Sequence, residues 1–265
     1  MPLKLAVSGK GGVGKTTVSA MLASLYGRKG TPVLAVDADP SPNLASALGV
    51  SKEVREKIVP LSQMLDLIEE RTGVRPGSSY GAMFRLNPQV DDLVDKFGLR
   101  VTDKVSLLVL GSVESGGSGC FCPENALLRR LVKHMVLDRD EVLIMDMEAG
   151  VEHLGRGTAE GVDLMLIVVE PGLRSVETAM RIRSLAADVG ITNVAGVVNK
   201  VRTQEDLDAI RQELDKIGIS CIGSVSLDAG MVRADLSGSS PMETISAQTM
   251  ESLERLAVNV AKYAQ

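Results

Sequence analysis

The stretch GKGGVGKT, residues 9–16, decides the fold because it matches the pattern G-x-x-x-x-G-K-[ST]. An apolar run, LKLAVS (3–8), precedes it, and a helix-forming segment (15–28) follows it. Glycines allow successive backbone N–H groups to turn inward at a helix N-terminus, where they bind phosphate oxygens. The pattern therefore predicts a phosphate-binding loop between a strand and a helix. The alternative is a glycine turn that binds no ligand.

The loop also predicts which residues bind a nucleotide. Lys15 is expected to bridge the terminal phosphates, and the Thr16 hydroxyl is expected to bind Mg²⁺. Lys15 then has a catalytic role as well, because it stabilises charge on the transferred phosphoryl group. The predicted nucleotide-binding residues of this loop are Gly9, Gly11, Gly12, Val13, Gly14, Lys15, Thr16 and Thr17.

Short apolar runs alternate with amphipathic segments along the chain. The runs at 3–8, 31–39, 105–112, 141–148, 163–171 and 193–201 are nearly continuously apolar, as is typical of strands covered on both faces. Helical patterns occur at 15–28, 123–137, 174–188, 204–216 and 242–263. This alternation predicts an α/β fold with a mostly parallel central sheet and helices on both faces. We expect a single domain over residues 1–265, with a helical insertion at about 51–104 that contains helices at 61–71 and 90–96.

Composition excludes several classes of protein. Aromatic residues make up 2% of the chain and the net charge is −5, which disfavours both a base-stacking platform and a general nucleic-acid binder. No apolar run approaches the ~20 residues that a membrane-spanning helix needs. Three cysteines, two of them almost adjacent, do not suggest a disulfide framework. We expect a cytoplasmic protein that has no signal peptide and binds neither nucleic acid nor membrane.

A second lysine, Lys10, lies inside the phosphate loop. The segment KGGVGKTT (10–17) resembles the deviant Walker A motif of the MinD/ParA/nitrogenase-iron-protein superfamily of dimeric ATPases. The resemblance implies a P-loop NTPase fold of the SIMIBI type. It also implies a homodimer in which Lys10 has a catalytic role, because it reaches across a two-fold axis to the partner's ATP. The alternative for Lys10 is a solvated loop lysine.

The same resemblance assigns roles to three residues farther along the chain. DADPSPNLASALG (37–49) resembles the first switch, in which Asp39 orients the attacking water; without the resemblance, the alternative for Asp39 is an Asx turn. VLIMDMEAG (142–150) resembles a Walker B element, so Asp146 is expected to hold Mg²⁺. Asn199, in VVNKV, corresponds to the position that reads adenine, since one amide side chain supplies both a donor and an acceptor.

Two cysteines, Cys120 and Cys122, lie in GGSGCFCPEN (116–125) directly before the predicted helix at 123–137. A helix N-terminus lowers the pKa of a thiol and favours the thiolate that metals bind. Four interpretations remain open: buried structural cysteines, a redox switch, a 4Fe–4S cluster on a dimer axis, and a transition-metal site. In the last, a two-fold axis presents the same pair twice, so that Cys120 and Cys122 of both subunits bind one Ni²⁺ or Zn²⁺ ion.

Together with Lys10, the segments SGCFCPEN and DMEAGVEHLGRGT resemble CooC-type ATPases, a branch of this superfamily. Members of that branch supply nickel to the Ni–Fe–S cluster of carbon monoxide dehydrogenase, and a near relative serves acetyl-CoA synthase. The implied function is an ATP-dependent metallochaperone whose client is one of these two apoproteins. The alternatives are a MinD- or ParA-like spatial-organisation ATPase and an Fe–S reductase similar to the nitrogenase iron protein. A membrane-binding C-terminal helix would favour the MinD-like alternative, but MESLERLAVNVAKYAQ (250–265) predicts a helix that packs on the core.

Overall fold

The computed structural model describes residues 2–77, 83–111, 122–150, 154, 159 and 161–264. Within these ranges the centre of the fold is an eight-stranded sheet with the strand order β3-β4-β2-β5-β1-β6-β7-β8. The strands are β1 (Lys4–Gly9), β2 (Val33–Ala38), β3 (Leu99–Arg100), β4 (Val105–Val109), β5 (Val142–Met147), β6 (Leu164–Val169), β7 (Val194–Val201) and β8 (Ser220–Ser226).

The α-helices of the described ranges connect these strands. They are α1 (Lys15–Arg28), α2 (Leu44–Ala47), α3 (Lys52–Arg55), α4 (Leu65–Thr72), α5 (Leu93–Phe97), α6 (Pro123–Leu137), α7 (Leu173–Val189), α8 (Gln204–Lys216), α9 (Ala229–Ser237) and α10 (Ala247–Tyr263). Two short 3₁₀ turns, Leu61–Gln63 and Pro241–Glu243, precede α4 and α10.

The sheet is parallel at every pairing except that of β3 with β4. Every residue of β1, β2, β5 and β6 is buried, as the continuous apolar runs predicted. Apolar side chains form one core on each face of the sheet: α1 and α10 pack in one core, and α6, α7 and α8 pack in the other. The predicted α/β fold is therefore confirmed.

The C-terminal helix α10 packs on the core. Leu253, Leu256 and Val260 lie at i, i+3 and i+7 and are fully buried in the core that also contains α1. This burial confirms the predicted core-packing helix. In the described part of the chain, no helix combines the length and the apolar character that crossing a bilayer requires.

Some elements differ from the sequence prediction. The predicted helix at 242–263 begins at Ala247, because Pro241–Glu243 forms a 3₁₀ turn and Ser246 caps the helix by accepting a hydrogen bond from the Thr249 N–H. The nine-residue helix α9 and the edge strands β3 and β8 were not assigned. Each is short or only partly buried, so its apolar pattern is weak.

The parallel strands bring their carboxyl ends to one edge of the sheet. Gly9 ends β1 there, between β5 and β6, and the phosphate loop follows directly. The acidic residues at the ends of β2 and β5 and the amide at the end of β7 reach the same edge. In open α/β sheets, ligands bind in the crevice outside the carboxyl ends of the strands.

Candidate nucleotide-binding site

Glycine conformations shape the loop between β1 and α1. Gly12 and Gly14 have left-handed backbones, with φ of 82° and 91°, which L-residues with a Cβ adopt unfavourably. Gly14 caps α1, and its carbonyl accepts the hydrogen bond of the Val18 N–H at 3.0 Å. A Cβ on Gly9 would collide with the carbonyl oxygen of Val168 in β6. The glycines of the motif therefore meet both conformational and packing requirements.

Asn199, at the end of β7, lies beneath the loop and is 2% exposed. Its Nδ2 donates to the Val13 carbonyl at 2.8 Å, and a Cβ on Gly14 would collide with this nitrogen. Its Oδ1 has no hydrogen-bond partner in the described ranges. The amide thus holds the loop with its donor, and its buried acceptor is left unpaired.

Asp146, at the end of β5, is fully buried. Its Oδ1 accepts from Ser19 at 3.2 Å, whereas Oδ2 has no partner among the residues that the structure describes. Burial raises the pKa of Asp146 to about 7, although the nearby Thr16 hydroxyl acts in the opposite direction. The two residues predicted to hold Mg²⁺ therefore lie close together, and one buried carboxylate oxygen is left without a donor.

Asp37 is a site residue that the sequence analysis missed. It is paired in register with Asp146 on the neighbouring strand, and burial raises its pKa to about 6. Its carboxylate accepts from the backbone N–H groups of Leu44 at 2.8 Å and Asp39 at 3.3 Å. The i, i+2 spacing of Asp37 and Asp39 at a strand end was the signal that could have identified it.

Asp39 forms the Asx turn that was considered for it and also approaches Lys15. Its Oδ1 accepts from the Ser41 N–H at 2.9 Å, which is an Asx turn. Its Oδ2 lies 4.0 Å from Nζ of Lys15, whose side chain is only 8% exposed. The turn therefore orients the Asp39 carboxylate toward the lysine of the phosphate loop.

Lys10 lies at the outer side of the loop and is partly exposed, next to the exposed glycines Gly11 and Gly12. Its carbonyl accepts a long hydrogen bond from the Val13 N–H at 3.4 Å. Its ammonium makes no hydrogen bond or ion pair with a described residue. Thr16 and Thr17 line a neighbouring pocket of about 140 Å³ together with Asn43, Met231 and Pro241.

Cys122 is the N-cap residue of α6 and has an extended backbone, and Pro123 occupies the first helical position. The helix has the predicted bounds of 123–137. The residues predicted as its apolar face are buried, namely Leu127, Leu128, Leu131, Val132, Met135 and Val136. Cys120 lies outside the described residues. Within the described ranges, no group of three or more His, Cys, Asp or Glu side chains could hold a metal ion.

Four predicted residues thus meet at one sheet edge: Lys15, Thr16, Asp39 and Asp146. Asn199 holds the loop from below, Lys10 lies at its outer side, and Cys122 begins α6. Lys200, which follows Asn199, also contacts the loop and was not predicted as a site residue.

Comparison with known proteins agrees with this geometry. Residues 4–242 match the CobQ/CobB/MinD/ParA nucleotide binding domain. An uncharacterized ATP-binding protein of Methanocaldococcus jannaschii is 49% identical over 89% of this chain and 90% of its own. The carbon monoxide dehydrogenase accessory protein CooC of Rhodospirillum rubrum is 44% identical over 89% of this chain and 88% of its own.

A solved structure supports the same fold. The septum site-determining protein MinD of Pyrococcus horikoshii, in complex with Mg-ADP, superposes with a TM-score of 0.66 at 19% identity. The match covers 100% of this chain and 98% of that one. The predicted P-loop NTPase architecture is confirmed, and the nucleotide-binding family together with the CooC relative identifies the chain as an ATPase. The chain belongs to the CobQ/CobB/MinD/ParA family and is a CooC-type member of it.

Proposed function

We propose that this ATPase is a metallochaperone, which hydrolyses Mg·ATP as a homodimer and delivers nickel to the Ni–Fe–S cluster of a carbon monoxide dehydrogenase or acetyl-CoA synthase apoprotein. One observation carries the proposal: Cys122 is the N-cap residue of a helix that buries one face, in a chain that is 44% identical to a carbon monoxide dehydrogenase accessory protein. A cysteine at a helix N-terminus is favoured as a thiolate, the form that binds Ni²⁺ or Zn²⁺.

The nucleotide would bind along the loop from Gly9 to Thr17. Backbone N–H groups of Gly11, Gly12, Val13 and Gly14 would contact the phosphates, and the Asn199 Oδ1 is an acceptor suited to the amino group of adenine. A Cβ on Gly11 or Gly12 would meet no atom within 4 Å, so the loop is open on that side.

The acids beside the loop fit a divalent cation. Asp146 keeps a buried oxygen without a donor and Thr16 lies beside the same carboxylate. Burial raises the pKa values of Asp37 and Asp146, so a bound cation would stabilise their charged forms. Thr16 and Asp146 would hold Mg²⁺ together with water ligands. When bound, Mg²⁺ neutralises charge that develops on the β- and γ-phosphate oxygens.

Hydrolysis would use Asp39 and both loop lysines. The Asp39 carboxylate accepts a hydrogen bond from the attacking water, whose oxygen forms a bond to the γ-phosphorus as the bond to ADP breaks. Lys15 and the loop N–H groups stabilise the charge on the transferred group. Because the Lys10 ammonium is not paired with a described residue, it would be available to the nucleotide of the partner subunit.

A two-fold axis would complete the metal site. Each subunit supplies Cys120 and Cys122, so two copies bring four thiolates to one Ni²⁺ or Zn²⁺ ion. The ion would then lie at the interface that also encloses ATP, and the nucleotide state would bias the dimer arrangement that holds it.

Metal titration tests the proposal. Wild type, a Cys120→Ala/Cys122→Ala variant and a Cys221→Ala control are titrated with Ni²⁺ or Zn²⁺ in the presence of ADP or ATP, while native mass is measured. We expect one ion per dimer in wild type and control, none in the double variant, and ATP hydrolysis within about threefold of wild type in all three. Stoichiometric binding by the double variant, or a monomer with both nucleotide and metal bound, would refute the shared site.

The same apoprotein clients provide a direct test of delivery. Protein loaded with ⁶³Ni is mixed with nickel-free carbon monoxide dehydrogenase or acetyl-CoA synthase and ATP. We expect radioactivity and activity to appear in one client, and Asp39→Asn to abolish repeated transfer because hydrolysis cannot reset the dimer. If free Ni²⁺ reaches the client as fast as Ni²⁺ bound to this protein, the chaperone role is refuted.

A further inference from the structure

Lys200 has an unusual backbone. Its φ is 57°, and it is the only residue other than glycine with a positive φ in the part of the chain that the structure describes. A side chain with a Cβ is unfavourable in this left-handed region. Such conformations persist where the surroundings hold them, and they cluster at functional sites.

The conformation coincides with an irregularity at the end of β7. The pairing of β7 with β8 shifts register between Val198 and Val201. Successive side chains of a regular strand point to opposite faces, and a bulge re-aims one of them. Here both consecutive side chains reach the same loop, because Asn199 donates to the Val13 carbonyl and Lys200 donates to the Gly12 carbonyl.

A second contact fixes the Lys200 ammonium. Its Nζ lies 3.0 Å from Oε2 of Glu170, which follows β6. The Glu170 N–H in turn donates to the Ser175 hydroxyl at 3.1 Å, at the start of α7. Lys200 therefore connects the phosphate loop to a neighbouring loop that a helix holds in place.

These contacts act on two consecutive peptide units. A trans peptide is planar, and its C=O and N–H point in opposite directions. Lys200 holds the Gly12 carbonyl, so the Val13 N–H of the same peptide points the other way, where it makes the 3.4 Å hydrogen bond to the Lys10 carbonyl. Asn199 holds the Val13 carbonyl and in the same way directs the Gly14 N–H. Glycine at positions 12 and 14 leaves this loop few conformational restraints of its own.

We propose that Lys200 is a positioning residue for phosphate binding: it fixes the Gly12–Val13 peptide so that its carbonyl points away from the nucleotide and its N–H can exchange the long bond to the Lys10 carbonyl for a phosphate oxygen. Without the ammonium, this peptide can flip and present its carbonyl oxygen to the phosphates, which repel it. The proposal rests on the ATPase activity of the chain and is independent of the metal site.

Two substitutions separate positioning from stability. Lys200→Gly removes the ammonium and also relieves the left-handed strain, whereas Lys200→Met removes only the ammonium. Lys216→Met is the matched control, because Lys216 is an exposed lysine of α8 that pairs with Glu213. Calorimetric titration with Mg·ADP, steady-state ATPase kinetics and thermal unfolding without nucleotide are measured for each.

We expect both Lys200 variants to bind Mg·ADP at least tenfold more weakly and to raise KM for ATP by a similar factor, with kcat changed less than threefold. Thermal unfolding of Lys200→Gly should occur at or above the wild-type temperature, and that of Lys200→Met at or below it. Lys200→Arg should restore affinity to within about threefold of wild type, and Lys216→Met should match wild type. Binding by Lys200→Gly within twofold of wild type, or a loss of affinity that follows a loss of thermal stability in both variants, would overturn the proposal.

Discussion

A Gly14→Ala substitution tests how the phosphate loop is held in place before any nucleotide binds. Gly14 combines a left-handed backbone with a position where a Cβ would collide with Nδ2 of Asn199. Gly12 is the matched control, since its φ of 82° is similar but its Cβ would meet no atom within 4 Å. The two alanine variants therefore share the backbone effect and differ in the contact with Asn199.

The expected magnitudes follow from these contacts. A left-handed alanine costs roughly 1–2 kcal/mol, which is the whole expected effect of Gly12→Ala. In Gly14→Ala the Asn199 amide must also move from the Val13 carbonyl, and leaving buried polar atoms unpaired costs about 1–3 kcal/mol. We therefore expect Gly14→Ala to lower the free energy of unfolding by about 2–5 kcal/mol.

Urea unfolding without nucleotide measures both variants, and an Asn199→Ala background provides a double-mutant cycle. When Asn199 is already truncated, Gly14→Ala should cost only the roughly 1–2 kcal/mol of the backbone effect. The reasoning is refuted if Gly12→Ala and Gly14→Ala are equally destabilising, or if the Gly14→Ala effect is the same in both backgrounds.

Three further outcomes are expected. Asp39→Asn should lower kcat for ATP hydrolysis about 100-fold or more, because the attacking water loses its hydrogen-bond acceptor. ATP affinity, measured by calorimetry, should stay within about threefold of wild type, because the phosphate-binding loop is unchanged. Lys10→Gln should leave Mg·ADP binding by the monomer intact but abolish ATP-dependent dimers in light scattering; retained dimers would contradict a role across the two-fold axis. Asp228→Ala should lower stability by about 2–3 kcal/mol in thermal unfolding, because the carboxylate accepts from the Gly230 N–H and from Ser246 and Thr249. Although burial acts to raise the pKa of Asp228, these hydrogen bonds hold the pKa below its ordinary 3.8. The contribution of Asp228 to the free energy of unfolding should therefore be complete above about pH 4 and should decline as pH falls further. Asp228→Ala should lack this decline.

Much of the fold was predictable because strands covered on both faces need continuous apolar runs. β1, β2, β5, β6 and β7 lie within one or two residues of their predicted bounds, and α6 and α8 match theirs. Elements with weak patterns were missed. α9 begins after Asp228, whose carboxylate also accepts from the distant Ser246 and Thr249, and such long-range contacts leave no periodicity in the sequence.

The site residues also fall into two groups: those that a sequence motif predicts and those that depend on the tertiary structure. Lys15, Asp39 and Asp146 could be predicted because their motifs occupy fixed places at strand ends. The burial of Asp37 beside Asp146 depends on the register of two strands that are more than a hundred residues apart. The role that we propose for Lys200 depends on a bulge and a left-handed residue, and a single sequence indicates neither.

The position of α6 suggests how the nucleotide state reaches the proposed metal site. β4 lies beside β2, so the chain that leaves β4 toward Cys122 begins at the same sheet edge as Asp37 and Asp39. At its other end, α6 is tied to the start of β1, where the Lys4 ammonium binds the carbonyls of Met135 at 3.3 Å and Glu141 at 3.1 Å.

Because α6 is held at its C-terminal end and buries one face between Leu127 and Val136, it is not suited to carry a large movement within one subunit. The thiolates of the two subunits can instead change their separation when the subunits rotate against each other. We therefore expect nucleotide to alter metal affinity in the dimer, and to leave the weak metal binding of a dimerisation-deficient Lys10→Gln monomer unchanged.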